Sequence, residues 1–184
     1  MHRQRSYLFA FLAWSLISTW AKGGDPAGEV PVLAVPDTLE VSSKEVLLFV
    51  ARARGVQIYK CQASKANPAQ FEWTFVAPEA DLFDRQGDKI GRHYAGPTWE
   101  SNDGSRVVGA VKASAPSQDG GAVPWLLLSA KKHLGDGAFS QVTSIQRLET
   151  KGGKAPSGGC AQTDVGMELR VPYTAVYCFY VLKP

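Results

Sequence analysis

The run Gly91-Arg92-His93-Tyr94-Ala95-Gly96-Pro97-Thr98-Trp99-Glu100 places an imidazole, two aromatic rings and a carboxylate within ten residues, around a Gly-Pro break. Histidine titrates nearest neutrality, and beside a carboxylate it forms the pair used by general bases and by metal-binding histidines. Two carboxylates are candidates for that role. Glu100 ends the run. If 81–84 and 89–95 form a hairpin around 85–88, Asp81 lies opposite Arg92 in one register and opposite His93 in the next. The second register lets Asp81 orient the ring; the first makes an ordinary cross-strand ion pair. The catalytic candidates are therefore His93, Asp81 and Glu100. The candidates for stacking on a flat ligand are Tyr94, Trp99 and Trp125, the last two neighbouring Pro97 and Pro124 at strand starts; Trp73, Trp99 and Trp125 also suit an aromatic core.

Other chemistries find less support. Zinc asks for three or four ligands, whereas beyond the first residues only His93 and His133 remain, with no H-E-x-x-H and no paired C-x-x-C, so no metal and no cofactor are expected. No G-x-S-x-G elbow surrounds Ser101 or Ser105. Glu79, Asp81, Asp84 and Glu100 include enough carboxylates for glycoside hydrolysis, but that reaction depends on a separation that sequence does not give. Gly135-Asp136-Gly137-Ala138-Phe139-Ser140 lacks the third glycine of a dinucleotide fingerprint and no βαβ unit surrounds it.

The elements that must position these residues read as strands. Apolar and β-branched runs at 46–53, 56–61, 71–76, 81–84, 89–95, 106–112, 125–131, 139–148 and 174–182 alternate with Gly, Asn, Asp and Pro clusters. In the last run Ala175, Tyr177, Phe179 and Val181 share one face and Val176 and Cys178 the other, so both faces are apolar and the strand should be central. No segment carries a capped helical stripe. The expected fold is all-β, a single-domain antiparallel β-sandwich or barrel of about eight to ten strands. Asn102-Asp103-Gly104-Ser105 is explained as turn chemistry.

Arg3 and Arg5, an apolar stretch over 7–19 and small residues ending at Ala21 read as a signal peptide over 1–21, with an uncleaved anchor as the alternative. The apolar stretch is short for a membrane span, so no stable span is expected after cleavage. Residues 22–38, rich in Gly and Pro, read as a flexible lead-in, and 39–184 as the all-β domain. Cleavage removes Arg3 and Arg5, taking Lys+Arg from 20 to 18 against 17 Asp+Glu. The near-neutral remainder gives no basic stripe for nucleic acid. Export permits a disulfide among the three cysteines. Cys61 ends a strand-like run and Cys160 sits in a glycine-rich loop, whereas Cys178 lies in an aromatic strand where a thiol packs as a small hydrophobe; the expected bridge is Cys61 to Cys160.

Five ordered motifs carry a family resemblance: Gly55-Val56-Gln57-Ile58-Tyr59-x-Cys61, Trp73-x-Phe75-x-Ala77-Pro78-Glu79-Ala80-x-Leu82, Gly91-x-His93-Tyr94-Ala95-Gly96-Pro97-x-Trp99, Pro124-Trp125-Leu126-Leu127-Leu128, and Gly152-Gly153-x-Ala155-Pro156 with Gly159-Cys160. Over about 36–180 the chain resembles the secreted family known as domain of unknown function 3455. The resemblance implies tyrosine at the place of Cys178, which favours the same bridge, and it implies no activity. Two functions follow as expectations. The first is an exported, non-catalytic module that binds a small molecule or an envelope component; the second is a secreted hydrolase or metal-assisted enzyme using His93 with Asp81 or Glu100.

Overall fold

The structure, a computed structural model, describes residues 34–184; the expected signal peptide and most of the lead-in lie outside the described residues. A 3-10 turn at Asp37–Leu39 precedes β1 (Glu45–Ala63), β2 (Phe71–Phe83), β3 (Lys89–Tyr94), β4 (Thr98–Ser101), β5 (Arg106–Ala115), β6 (Trp125–Leu134), β7 (Ser144–Gly152) and β8 (Glu168–Leu182). Each strand pairs antiparallel with the next, and β8 closes onto β1. The fold is an eight-stranded closed barrel, which leaves no sheet edge unpaired.

Several strand boundaries differ from the sequence reading, for physical reasons. Residues 46–53 and 56–61 are one strand, because Gly55 does not break it: a Cβ there would collide with the Glu79 carbonyl oxygen, so glycine lets β1 and β2 approach. Residues 71–76 and 81–84 also join, with Pro78 tolerated beside a register shift at Ile58/Tyr59. The four-residue β4 was too short to show as a run of its own. The run 139–148 is a strand only from Ser144, and β8 starts at Glu168 rather than at 174.

Residues 139–143 instead close one end of the barrel. Phe139 is buried, with its ring 5.6 Å from that of Phe49 and 4.9 Å from that of Phe179. The turn at 102–105 holds this plug. Asp103 accepts the Ala138 N–H at 2.8 Å, and the Ser105 hydroxyl accepts the Phe139 N–H at 3.1 Å while donating to Asp103 at 2.6 Å. Those bonds, from Ser105 first, hold the Asp103 carboxyl down at about 2. Asp103→Ala is expected to lower the melting temperature and to speed amide exchange at Ala138 and Phe139 while sparing β1 and β8; equal protection in both proteins would show that the plug holds itself.

The inward face of β8, Ala175, Tyr177 and Phe179, is buried in the bore, as the period-2 pattern requires. Its outward face is not left to water. Cys178 is buried there, and Leu39 is buried over the β5–β6 side of the barrel wall. The Gln146 amide donates to the Leu39 carbonyl at 2.7 Å and accepts from the Tyr180 hydroxyl at 2.7 Å. Residues 36–40 thus strap the outside of the barrel.

Candidate functional site

The end opposite the plug is open. A cavity of about 470 Å³ enters the bore there, and every one of the eight strands contributes to its wall. This volume lies within the range of small-molecule sites, and eight strands enclose room for one small ligand when large side chains do not fill the bore. At the mouth Phe75, Val76 and Val111 are about half exposed, an apolar rim continuous with Pro78, Pro97 and Pro124.

His93 and Trp99 form the wall deeper in. They are neighbours across the β3–β4 hairpin, and their rings stack with centroids 4.4 Å apart, with Tyr177 edge-on to both. Gly96-Pro97 makes the turn; Gly96 has φ of 133°, a conformation that disfavours side chains. Thr98 donates its hydroxyl to the Ala95 carbonyl at 2.9 Å, and His93 Nδ1–H donates to the Thr98 carbonyl at 2.8 Å, which fixes the tautomer. His93 is 2 % exposed, and burial pushes its pKa down to about 3. The ring is therefore neutral at physiological pH.

Trp99 Nε1 in this wall makes no hydrogen bond; the residue is 1 % exposed and its indole nitrogen is covered by protein. Gln57 is buried beside it, with the Tyr173 hydroxyl as a side-chain partner.

The structure divides the catalytic and stacking candidates. Asp81 pairs with Arg92 and Ala80 with His93, so Asp81 and His93 occupy opposite faces of the sheet. Asp81 faces outward and makes its ion pair with Lys89 at 2.6 Å rather than with Arg92. Glu100 is also outward. It accepts from the Tyr94 hydroxyl at 2.7 Å and pairs with Arg92 at 3.0 Å and Arg106 at 3.3 Å; these contacts, the Tyr94 bond foremost, lower its pKa. Tyr94 belongs to this outer cluster, with the Arg92 guanidinium 5.2 Å from its ring centre. Trp125 is buried on the other side of the pleat from the cavity-lining Leu126. Only His93 and Trp99 of the six meet in the bore, and no carboxylate reaches the imidazole. Ser105 is committed to the plug. Among the described residues no three His, Cys, Asp or Glu side chains gather as metal ligands.

The bridge joins Cys61 to Cys160, and Cys178 is a free, buried thiol. A family profile described as a protein of unknown function, DUF3455, matches residues 42–181. The chain belongs to the DUF3455 family. Neither the curated proteins nor the solved structures contain a match. For this DUF3455 barrel the site rests on its own geometry. Among the described residues no helix is long and apolar enough to cross a membrane.

Gln57 and Arg147 line the cavity without having been singled out as site residues by sequence. Each stands at inward parity, Gln57 two residues before Tyr59 and Arg147 two after Ile145. That parity was the available signal, and it becomes legible only once the barrel fixes which face is inward.

The buried neutral imidazole makes acid stability a readout of the bore. Its folded-state pKa of about 3 lies below the ordinary 6.5, so the unfolded chain takes up the proton first as pH falls. Stability present above pH 6.5 is then lost progressively towards pH 3, by roughly 2 kcal/mol at pH 5. Urea unfolding at several pH values is expected to show a shallower acid limb for His93→Gln than for the parent. The carboxylates with lowered values, Glu45, Glu100 and Asp103, slope the same way in both proteins and cancel in the comparison.

Proposed function

We propose that this barrel is an exported, non-catalytic binding module that takes a small, largely apolar molecule into its open bore. The observation that carries the reading is the cavity itself: an apolar-rimmed bore walled by all eight strands. Among the described residues no carboxylate stands beside His93, whose ring bonds a backbone carbonyl, and this favours binding over acid–base chemistry. Export is supported by the basic and apolar character of residues 1–21 and by the Cys61–Cys160 bridge, which persists in oxidising compartments.

The test uses the chain from Lys22 onward and a neutral probe, the dye Nile red. Saturable one-to-one binding, abolished by Val111→Trp at the mouth, is the expected result. Val111 is more than half exposed, so the larger ring narrows the entrance without disturbing the packed core. Non-saturable binding, or binding unchanged by Val111→Trp, would sink the reading.

A further inference from the structure

Arg147 gives the bore a charge that nothing else in it balances. On β7 it pairs across to Leu126 and to Tyr177, both of which line the cavity, so its side chain lies on the bore face of the barrel. Its Nε and Nη2 both donate to the Pro124 carbonyl, at 3.1 and 2.8 Å, which anchors the guanidinium at the mouth. The guanidinium also donates to the Tyr177 hydroxyl, and since an arginine carries five N–H donors and no acceptor, these bonds do not exhaust it. Among the described residues no Asp or Glu lines the cavity and no ion pair includes Arg147. Its field acts on the inner aromatic cluster, disfavouring protonation of His93 and favouring ionised forms of Tyr177 and Tyr59. With His93 neutral, Arg147 is the charged group of the wall. A cation set into a largely apolar surface is normally matched by an anion.

The remaining chemistry agrees. The accessible lining at the mouth is apolar, with Phe75, Val76 and Val111 about half exposed over the buried His93–Trp99 pair. We propose that the bore selects a small apolar carboxylate, with its acid group held at Arg147 and its body against the apolar mouth formed by Phe75, Val76 and Val111. This rests on the reading of the bore as a ligand site and adds the charge of the occupant.

Calorimetric titration of the protein with naphthoate and with its neutral counterpart naphthalenemethanol tests it. Naphthoate is expected to bind roughly 10- to 100-fold more tightly, as a charge-assisted hydrogen-bonded pair allows. Arg147→Gln should remove that preference, and Arg147→Lys should restore part of it. Equal affinity of the two probes in the parent protein overturns the carboxylate preference and leaves the ligand cavity standing. Binding of neither probe overturns both. A preference that survives in Arg147→Gln shows the anion to be held elsewhere, which also overturns the assignment. If Arg147→Gln does not fold, the parent's two-probe comparison and Arg147→Lys still decide.

Discussion

Trp99→Ala is expected to lower the unfolding free energy by about 3–5 kcal/mol, the usual cost of emptying a buried tryptophan site. The side chain is 1 % exposed and is held on several sides: His93 stacks on it, and Tyr177 and Phe179 approach edge-on at 5.4 and 6.2 Å. Gly109 completes the nest, because a Cβ there would stand 3.0 Å from Trp99 Cζ3. The barrel wall is hydrogen-bonded on both sides of β4 and cannot collapse into the gap, so most of the lost contact stays lost. Trp99→Phe separates packing from polarity. It retains a ring in the nest and removes the unpaired indole N–H, whose burial carries a desolvation cost, so it should destabilise much less than alanine. Urea denaturation with unchanged m-values measures both. A cost for Trp99→Ala near that of an exposed substitution would mean that the ring is not part of the packed core, and the cavity built against it would lose its wall.

The sequence carries the fold class because period-2 alternation survives in nearly every strand; the last strand is the clearest case, with Tyr177 and Phe179 inward and Cys178 outward as its two apolar faces implied. Strand breaks were less legible. Gly55 and Pro78 are chain-breakers by intrinsic preference, yet one sits in a continuous strand because β2 comes close and the other because a register shift accommodates it. Phe139 and Val142 look like strand residues by composition and are instead the hydrophobic contacts of a plug, a role set by the turn at Asp103, 35 residues before Ala138 in the chain. The site was half legible. His93 and Trp99 stand out because rare residue types cluster there. Asp81 was ambiguous because a one-residue register slip moves it across the sheet, and the register found puts it outside. Arg147 and Gln57 are ordinary polar residues in the sequence; barrel closure alone makes them interior.

Replacing both Cys61 and Cys160 with serine is expected to destabilise the protein by about 2–5 kcal/mol. The bridge spans a sequence separation of 99, and loops of that size give the largest loss of unfolded-state entropy, on the order of 4–5 kcal/mol in the chain-entropy account. It ties the end of β1 to the long β7–β8 connection, where backbone bonds also hold: Gly166 N–H to the Cys61 carbonyl at 2.9 Å, and Cys61 N–H to the Met167 carbonyl at 3.0 Å. Those bonds keep the native connection shaped without the sulfurs, so the loss should appear in the stability of the barrel rather than in its form. Neither cysteine lines the cavity, and probe binding should therefore persist in the double variant at temperatures where it remains folded. Thiol titration supplies the control. Cys178 is buried and its thiol is pushed up to about 11, by burial first and then by the Glu149 carboxylate, so native protein should react slowly with a thiol reagent. Denatured, unreduced protein should release one thiol per chain; three would mean that the bridge does not form and that the stability attributed to it comes from elsewhere in the barrel.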